Sequence, residues 1–170
     1  MLAFILAAKF RMPFPIVLGI LIATLANHAF AGALGAWITS LLGPATLRWV
    51  LGLSFIGMAI WTLTPDKLDE SGTKLARFGV FGTTLVAFFL VEMGDKTQIA
   101  TVALAAQYHA FFSVVAGTTL GLMIANVPAV FLGDRIAHRM PVRLIHSIAA
   151  AIFAILGVAT LLGAGERLGF

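Results

Sequence analysis

Long apolar runs alternate with short polar breaks along this chain, and the lengths of the runs predict its elements. Met1 to Phe10 is apolar. At about 1.5 Å per helical residue it is too short to cross a hydrocarbon core of about 30 Å. Lys9, Arg11, Pro13 and Pro15 follow as a polar, turn-prone break. Ile16 to about Leu42 predicts a membrane span, punctuated by Gly43 and Pro44. Thr46 to Leu63 predicts another, with Trp49 and Trp61 as interfacial anchors. TPDKLDESGTKLAR, residues 64–77, is the only sustained polar segment and reads as a linker between two halves. Phe78 to about Tyr108 is again apolar, interrupted by LVEMGDKTQIA at 90–100. Phe111 to Leu132 and Val142 to Leu162 predict the last spans, on either side of a basic loop at 133–141.

The runs also repeat. Residues 6–38 lie over 104–136 at an offset of 98, with Gly19 on Gly117, Gly35 on Gly133 and Ile38 on Ile136. His28 falls opposite Asn126, and further on Gly57 pairs with Gly157 at an offset of 100. Two copies of a three-span unit follow. An odd number of spans inverts the second copy, which is the plan of many secondary transporters. The predicted organisation is a first three-helix repeat over 1–63 with its first helix truncated, a linker over 64–77, and a second repeat over 78–170. Residues 1–32 loosely mimic a secretory signal, but the repeat argues against that reading.

Composition makes the fold class all-α and polytopic. Of 170 residues, 61% are hydrophobic and 11% charged, against about 45–50% and about 25% in soluble domains. Mean hydropathy is +1.04. The absence of cysteine excludes disulfides, thiolate metal sites and cysteine nucleophiles. The net charge of +4 does not suggest nucleic acid. The basic residues report orientation instead. Lys9, Arg11, Lys67, Lys74, Arg77, Arg135, Arg139 and Arg143 fall on one side if every span crosses, and only Arg48 and Arg167 on the other. Eight against two predicts a cytoplasmic linker, with both chain ends outside.

The charged motif is the candidate chemistry. Placed on one continuous helix, Glu92 and Asp95 share a face at i, i+3, and Glu92 and Lys96 pair at i, i+4. Gly94 leaves room for close helix approach or local unwinding. Carboxylates on Glu92 and Asp95, with neutral oxygens from Thr97 and Gln98, suit a hard divalent cation such as Mn²⁺, Ca²⁺ or Mg²⁺. Carboxylates that hold a cation can also hold protons, so cation/proton exchange follows, with Lys96 pairing with a carboxylate or tuning its charge. Charged side chains in mid-membrane are costly and mark function. The plainer alternative is a structural ion pair of Glu92 or Asp95 with Lys96.

E-φ-G-D-K-T-Q at the centre of a membrane helix in a small two-repeat protein resembles the Gdt-type cation transporter family. The resemblance covers essentially the whole chain, including ANHA at 26–29 and ANVPA at 125–129. It implies Mn²⁺ or Ca²⁺ transport against protons, with no prosthetic group, and the motif E-φ-G-D-[KR]-[ST] once in each repeat. Glu92-Met93-Gly94-Asp95-Lys96-Thr97 fits that motif completely. The first copy, counted back by 98, falls on the seven positions before Met1. The expectation is a start codon placed too late, ahead of a truncated chain or a true lack of the first motif.

Asn27 and His28 in the second span and Asn126 in the fifth, at matched depths, could complete a cation shell; helix-packing hydrogen bonds are the alternative. His28 could also take protons. Thr83 and Thr84 are expected to bond back to their own helix, Gly117 and Gly121 to form a packing face, and Pro128 to kink its helix. Asp66, Asp69 and Glu70, and Asp134, Arg135, His138 and Arg139, read as solvated connections. The leading expectation is a non-enzymatic bacterial inner-membrane transporter exporting Mn²⁺, or possibly Ca²⁺, in exchange for protons, with a homo-oligomer open. The alternatives are an exporter of a small organic cation or amino acid, and a non-transporting membrane scaffold. An intramembrane hydrolase is disfavoured, since neither H-E-x-x-H nor G-x-S-x-G occurs.

Overall fold

The computed structural model of the chain describes residues 2–64, 78–132 and 142–163. Most of the polar linker, with its acidic cluster, and the basic loop at 133–141 lie outside the described residues. The described residues form seven helices and no strand: α1 Leu2–Phe10, α2 Pro13–Leu41, α3 Pro44–Thr62, α4 Gly79–Glu92, α5 Lys96–Tyr108, α6 Phe111–Leu132 and α7 Val142–Leu161. The all-helical, polytopic class expected from composition is what the chain adopts.

Among the described residues three helices, Pro13–Leu41, Pro44–Thr62 and Phe111–Phe131, are long and apolar enough to cross a membrane. Large apolar side chains such as Phe14, Phe112 and Ile124 point outward from them, as helices facing hydrocarbon require. The prolines near residue 13 do not hold off the second helix, which begins at Pro13 itself. First-turn N–H groups have no partner inside a helix, so Pro13 and Pro15 cost α2 no hydrogen bond. Gly43 and Pro44 separate α2 from α3, with Pro44 in the first turn. The short helices α1 and α5 end alike. Arg11 follows α1 at φ 52° and His109 follows α5 at φ 50°. These two left-handed residues are 98 apart, the same spacing as the sequence repeat.

The apolar run at 78–108 differs from expectation. It is not one helix but two, broken inside the charged motif. Glu92 closes α4, Met93 is extended at φ −66° and ψ 113°, and Gly94 turns the chain at φ +83°. The Asp95 N–H donates to the Glu92 carbonyl at 3.1 Å, and α5 starts at Lys96. A left-handed φ costs an ordinary residue about 1–2 kcal/mol and glycine almost nothing. The expected i, i+3 and i, i+4 geometry of Glu92, Asp95 and Lys96 is therefore absent. Each piece is too short to span alone: the 14 residues of α4 reach only about 21 Å.

The chain divides into two compact units. The first draws on Met1–Ala29, Lys67–Asp95 and Val115–Met140, the second on Phe30–Asp66, Lys96–Val114 and Pro141–Phe170. In the first, Ala3 and Leu6 of α1, Ile16, Ile20 and Ala23 of α2, Phe88 of α4 and Val130 of α6 make the core. In the second, Leu51 and Phe55 of α3 pack with Ala103 and Ala106 of α5, and Phe153 and Leu156 of α7 close over them. There α3 and α7 meet through glycines. A Cβ on Gly157 would lie 3.0 Å from the Gly52 carbonyl oxygen, and one on Gly52 would lie 3.3 Å from that of Gly157.

Candidate functional site

Helical periodicity decides which side of α4 is buried. Thr84, Phe88 and Glu92 are spaced by four residues, and all three are buried, with Thr83 and Ala87 beside them. The carboxylate of Glu92 is thus the last member of a core-facing stripe, and only 7% of the residue is exposed. Thr84 bonds back to the Val80 carbonyl at 2.8 Å, as expected of a threonine inside an apolar helix.

The facing stripe of α2 changes character along its length. Ile16, Ile20 and Ala23 are buried and apolar; Thr24, Asn27 and His28 are buried and polar. All lie at i, i+3 and i+4 spacings, on one face. The two helices approach closely because Gly19 has no side chain. A Cβ there would fall 2.8 Å from the Thr84 Cβ and 3.0 Å from the Phe81 carbonyl oxygen. One turn and more beyond this contact, Thr24 Oγ1 donates to Glu92 Oε2 at 3.2 Å. Asn27 Nδ2 donates to the Phe89 carbonyl at 3.1 Å, an oxygen that also accepts the Met93 N–H at the end of α4. Asn27 Oδ1 is buried without a hydrogen-bond partner. His28 lies on the side of α2 toward α6: its Nδ1 is 3.4 Å from Thr119 Oγ1, and its Nε2 is buried without a partner.

The first unit therefore gathers Glu92, Asp95, His28 and Asn126 of the expected site residues. It ties Glu92 directly to Thr24. Asn126 donates to the Leu122 carbonyl of its own helix at 3.1 Å. Lys96, Thr97 and Gln98 begin α5 in the second unit. Lys96 Nζ donates to the Thr64 carbonyl at 2.7 Å and stands 5.7 Å from the centre of the Trp61 ring. A cation just past the end of α3 meets the negative end of that helix. Among the described residues, no group of three or more His, Cys, Asp and Glu could hold a metal. Pro128 is accommodated inside α6. Gly117 and Gly121 of α6 face open space among the described residues, not the packing partner expected of them.

Thr24 is the site residue that the sequence reading overlooked. It stands one turn before Asn27 and His28 on an otherwise apolar helix, a polar stripe at i, i+3, i+4 that could have marked it. The chemistry available at this point is specific. A carboxylate sits in apolar surroundings at the C-terminal end of a helix, where the backbone carbonyls add negative potential. Such a group is stable when a proton or a cation neutralises it.

A model of the family described as divalent cation/proton antiporter GDT1 matches residues 1–70 and 80–167. A Vibrio cholerae protein named "Putative manganese exporter" is 47% identical over 161 residues, which cover 94% of this chain and 80% of that protein. A GDT1-like protein of Synechocystis is 36% identical over 98 residues, covering 55% of this chain and 47% of the relative. GDT1-like protein 3 of Oryza sativa subsp. japonica is 32% identical over 96 residues, covering 52% and 34%. This chain thus matches under half the length of the last two relatives. No solved structure matches the chain. With the family match running through both halves, and a relative nearly half identical along 94% of this chain, the chain belongs to the GDT1 family of divalent cation/proton antiporters.

Proposed function

We propose that this protein exports Mn²⁺ from a bacterial cytoplasm across the inner membrane in exchange for protons, with the 64–77 linker on the cytoplasmic side. The observation that carries the reading is the burial of Glu92. Its carboxylate sits at the end of a helix that breaks inside the motif, and the Thr24 hydroxyl donates to it at 3.2 Å. Broken helices whose ends face a mid-membrane ion site are a recurring device of secondary transporters. Carboxylate and hydroxyl oxygens favour hard cations, Mn²⁺ and Ca²⁺ among them. The name of the Vibrio cholerae relative favours Mn²⁺.

Exchange follows from electrostatics. An ionised carboxylate in a low-dielectric interior is too costly to leave bare. When the cation departs, a proton takes its place; when the next cation arrives, the proton leaves. Glu92 and Asp95 carry this alternation, since Asp95 lies near enough for its charge to act on Glu92. Two carboxylates also match the charge of one divalent cation.

The test uses bacterial cells stripped of their own Mn²⁺ exporters. The wild-type chain is expected to restore growth in excess Mn²⁺, and Glu92→Gln and Asp95→Asn, at equal membrane abundance, to lose that protection. If both variants protect as well as wild type, the carboxylates are not the cation site and the reading is wrong.

A further inference from the structure

We infer that Asn27 is a ligand of the transported cation through Oδ1, and that Glu92, Thr24 and Asn27 form one oxygen-lined cation subsite within the first unit. The inference rests on the reading above that Glu92 holds the cation, and extends it to a helix that lies outside the charged motif.

The orientation of the Asn27 amide is fixed by chemistry. The Phe89 carbonyl oxygen can only accept, so the NH₂ end must face it, as the 3.1 Å contact has it. Oδ1 must then point the other way. There it is enclosed, in a residue only 1% exposed, and no donor reaches it. Buried amide oxygens nearly always have a partner, because leaving one unmet in apolar surroundings costs free energy. An acceptor without a donor is a natural place for a cation.

The neighbourhood agrees. The NH₂ end of the same amide lies within hydrogen-bond range of the Glu92 carboxylate, which sets Asn27 beside it. Thr24, one turn earlier on the same face of α2, donates to that carboxylate. Carboxylate, amide and hydroxyl oxygens together are the donor set of a hard cation. A cation placed here would answer the carboxylate and Oδ1 together. An ordered water is the competing occupant of this position.

The experiment substitutes a soft ligand for a hard one. The chain has no native cysteine, so Asn27→Cys introduces a single thiol, which favours Cd²⁺ over Mn²⁺. Transport of both ions is measured in proteoliposomes for wild type, Asn27→Cys and Glu92→Gln. If residue 27 is a ligand, the Cd²⁺-to-Mn²⁺ rate ratio of Asn27→Cys rises at least about tenfold. An unchanged ratio, whether both rates stay normal or fall together, overturns the inference. Anomalous scattering from Mn²⁺ in crystals of the wild-type protein decides independently, including the case in which Asn27→Cys does not fold. A peak at bonding distance from both Asn27 Oδ1 and the Glu92 carboxylate supports the subsite. A peak on Glu92 with water on Asn27 overturns it and leaves the exchange reading standing. Absence of any peak at Glu92, with full transport by Glu92→Gln, overturns that reading as well.

Discussion

Thr24 carries a single hydroxyl, and its consequence depends on what the Glu92 carboxylate would face without it. Valine at this position keeps the branched shape and removes the donor. Glu92, 7% exposed, would lose the 3.2 Å hydrogen bond that its carboxylate accepts. Losing a partner to a buried acceptor costs about 1–3 kcal/mol. Thr24→Val is therefore expected to lower thermal stability in detergent by about that amount and to slow Mn²⁺ export. Thr24→Ser, which restores the hydroxyl without the methyl, is expected to recover most of the export. Melting curves and Mn²⁺ efflux of the two variants check this together. If Thr24→Val exports as fast as wild type, the hydroxyl has no part in the site.

The elements show why one glycine of a repeated pair matters and its counterpart does not. Gly19 of α2 and Gly117 of α6 occupy matching positions of the repeat, yet their surroundings differ. A Cβ on Gly19 would collide with the Cβ of Thr84 and the carbonyl oxygen of Phe81, whereas one on Gly117 would meet nothing within 4 Å. The colliding atoms belong to a stem carbon and the backbone, so α2 would have to move away from α4, and Thr24 and Asn27 would move with it. Gly19→Ala is expected to impair export and destabilise the protein by about 1–3 kcal/mol, the usual cost of overpacking. Gly117→Ala is expected to leave export unchanged and to stabilise α6 by a few tenths to about 1 kcal/mol. Comparable losses in both variants would show that the α2–α4 approach is not what sets the site.

The same contrast explains what could be read in advance. Runs of about 20 apolar residues leave few alternatives, so the long helices were legible within a few positions. The break at Met93–Asp95 was not, because the apolar run continues on both sides of it. Its signal was local: glycine is the residue that ends helices and aspartate one that starts them, and Gly94-Asp95 puts the two side by side. Lys96 was expected near a carboxylate through helical spacing. The break removes that spacing, and two of the partners of Lys96, Thr64 and Trp61, are more than thirty residues away. Such contacts depend on tertiary packing, which periodicity does not encode.

Orientation belongs to the whole molecule, because no single charge fixes it. Eight Lys and Arg residues fall on the side of the linker and two on the other, if every span crosses. In the orientation we propose, that asymmetry puts the linker inside the cell, and the connection between α2 and α3, one span away, outside. Export requires the cation to enter from the linker side, so direction and orientation can be tested on one set of reporters. The chain contains no cysteine, and single substitutions report without background. Ser71→Cys lies in the linker; Gly43→Cys lies between α2 and α3, where a side chain would meet nothing within 4 Å. A membrane-impermeant maleimide is expected to label Gly43→Cys in intact spheroplasts and Ser71→Cys only in inside-out vesicles. In those same vesicles, where the cytoplasmic face is outward, Mn²⁺ is expected to accumulate while protons leave the lumen, and a protonophore is expected to abolish the accumulation. Labelling of Ser71→Cys in spheroplasts would reverse the orientation. Accumulation that survives the protonophore would break the link between cation and proton on which the exchange at Glu92 depends.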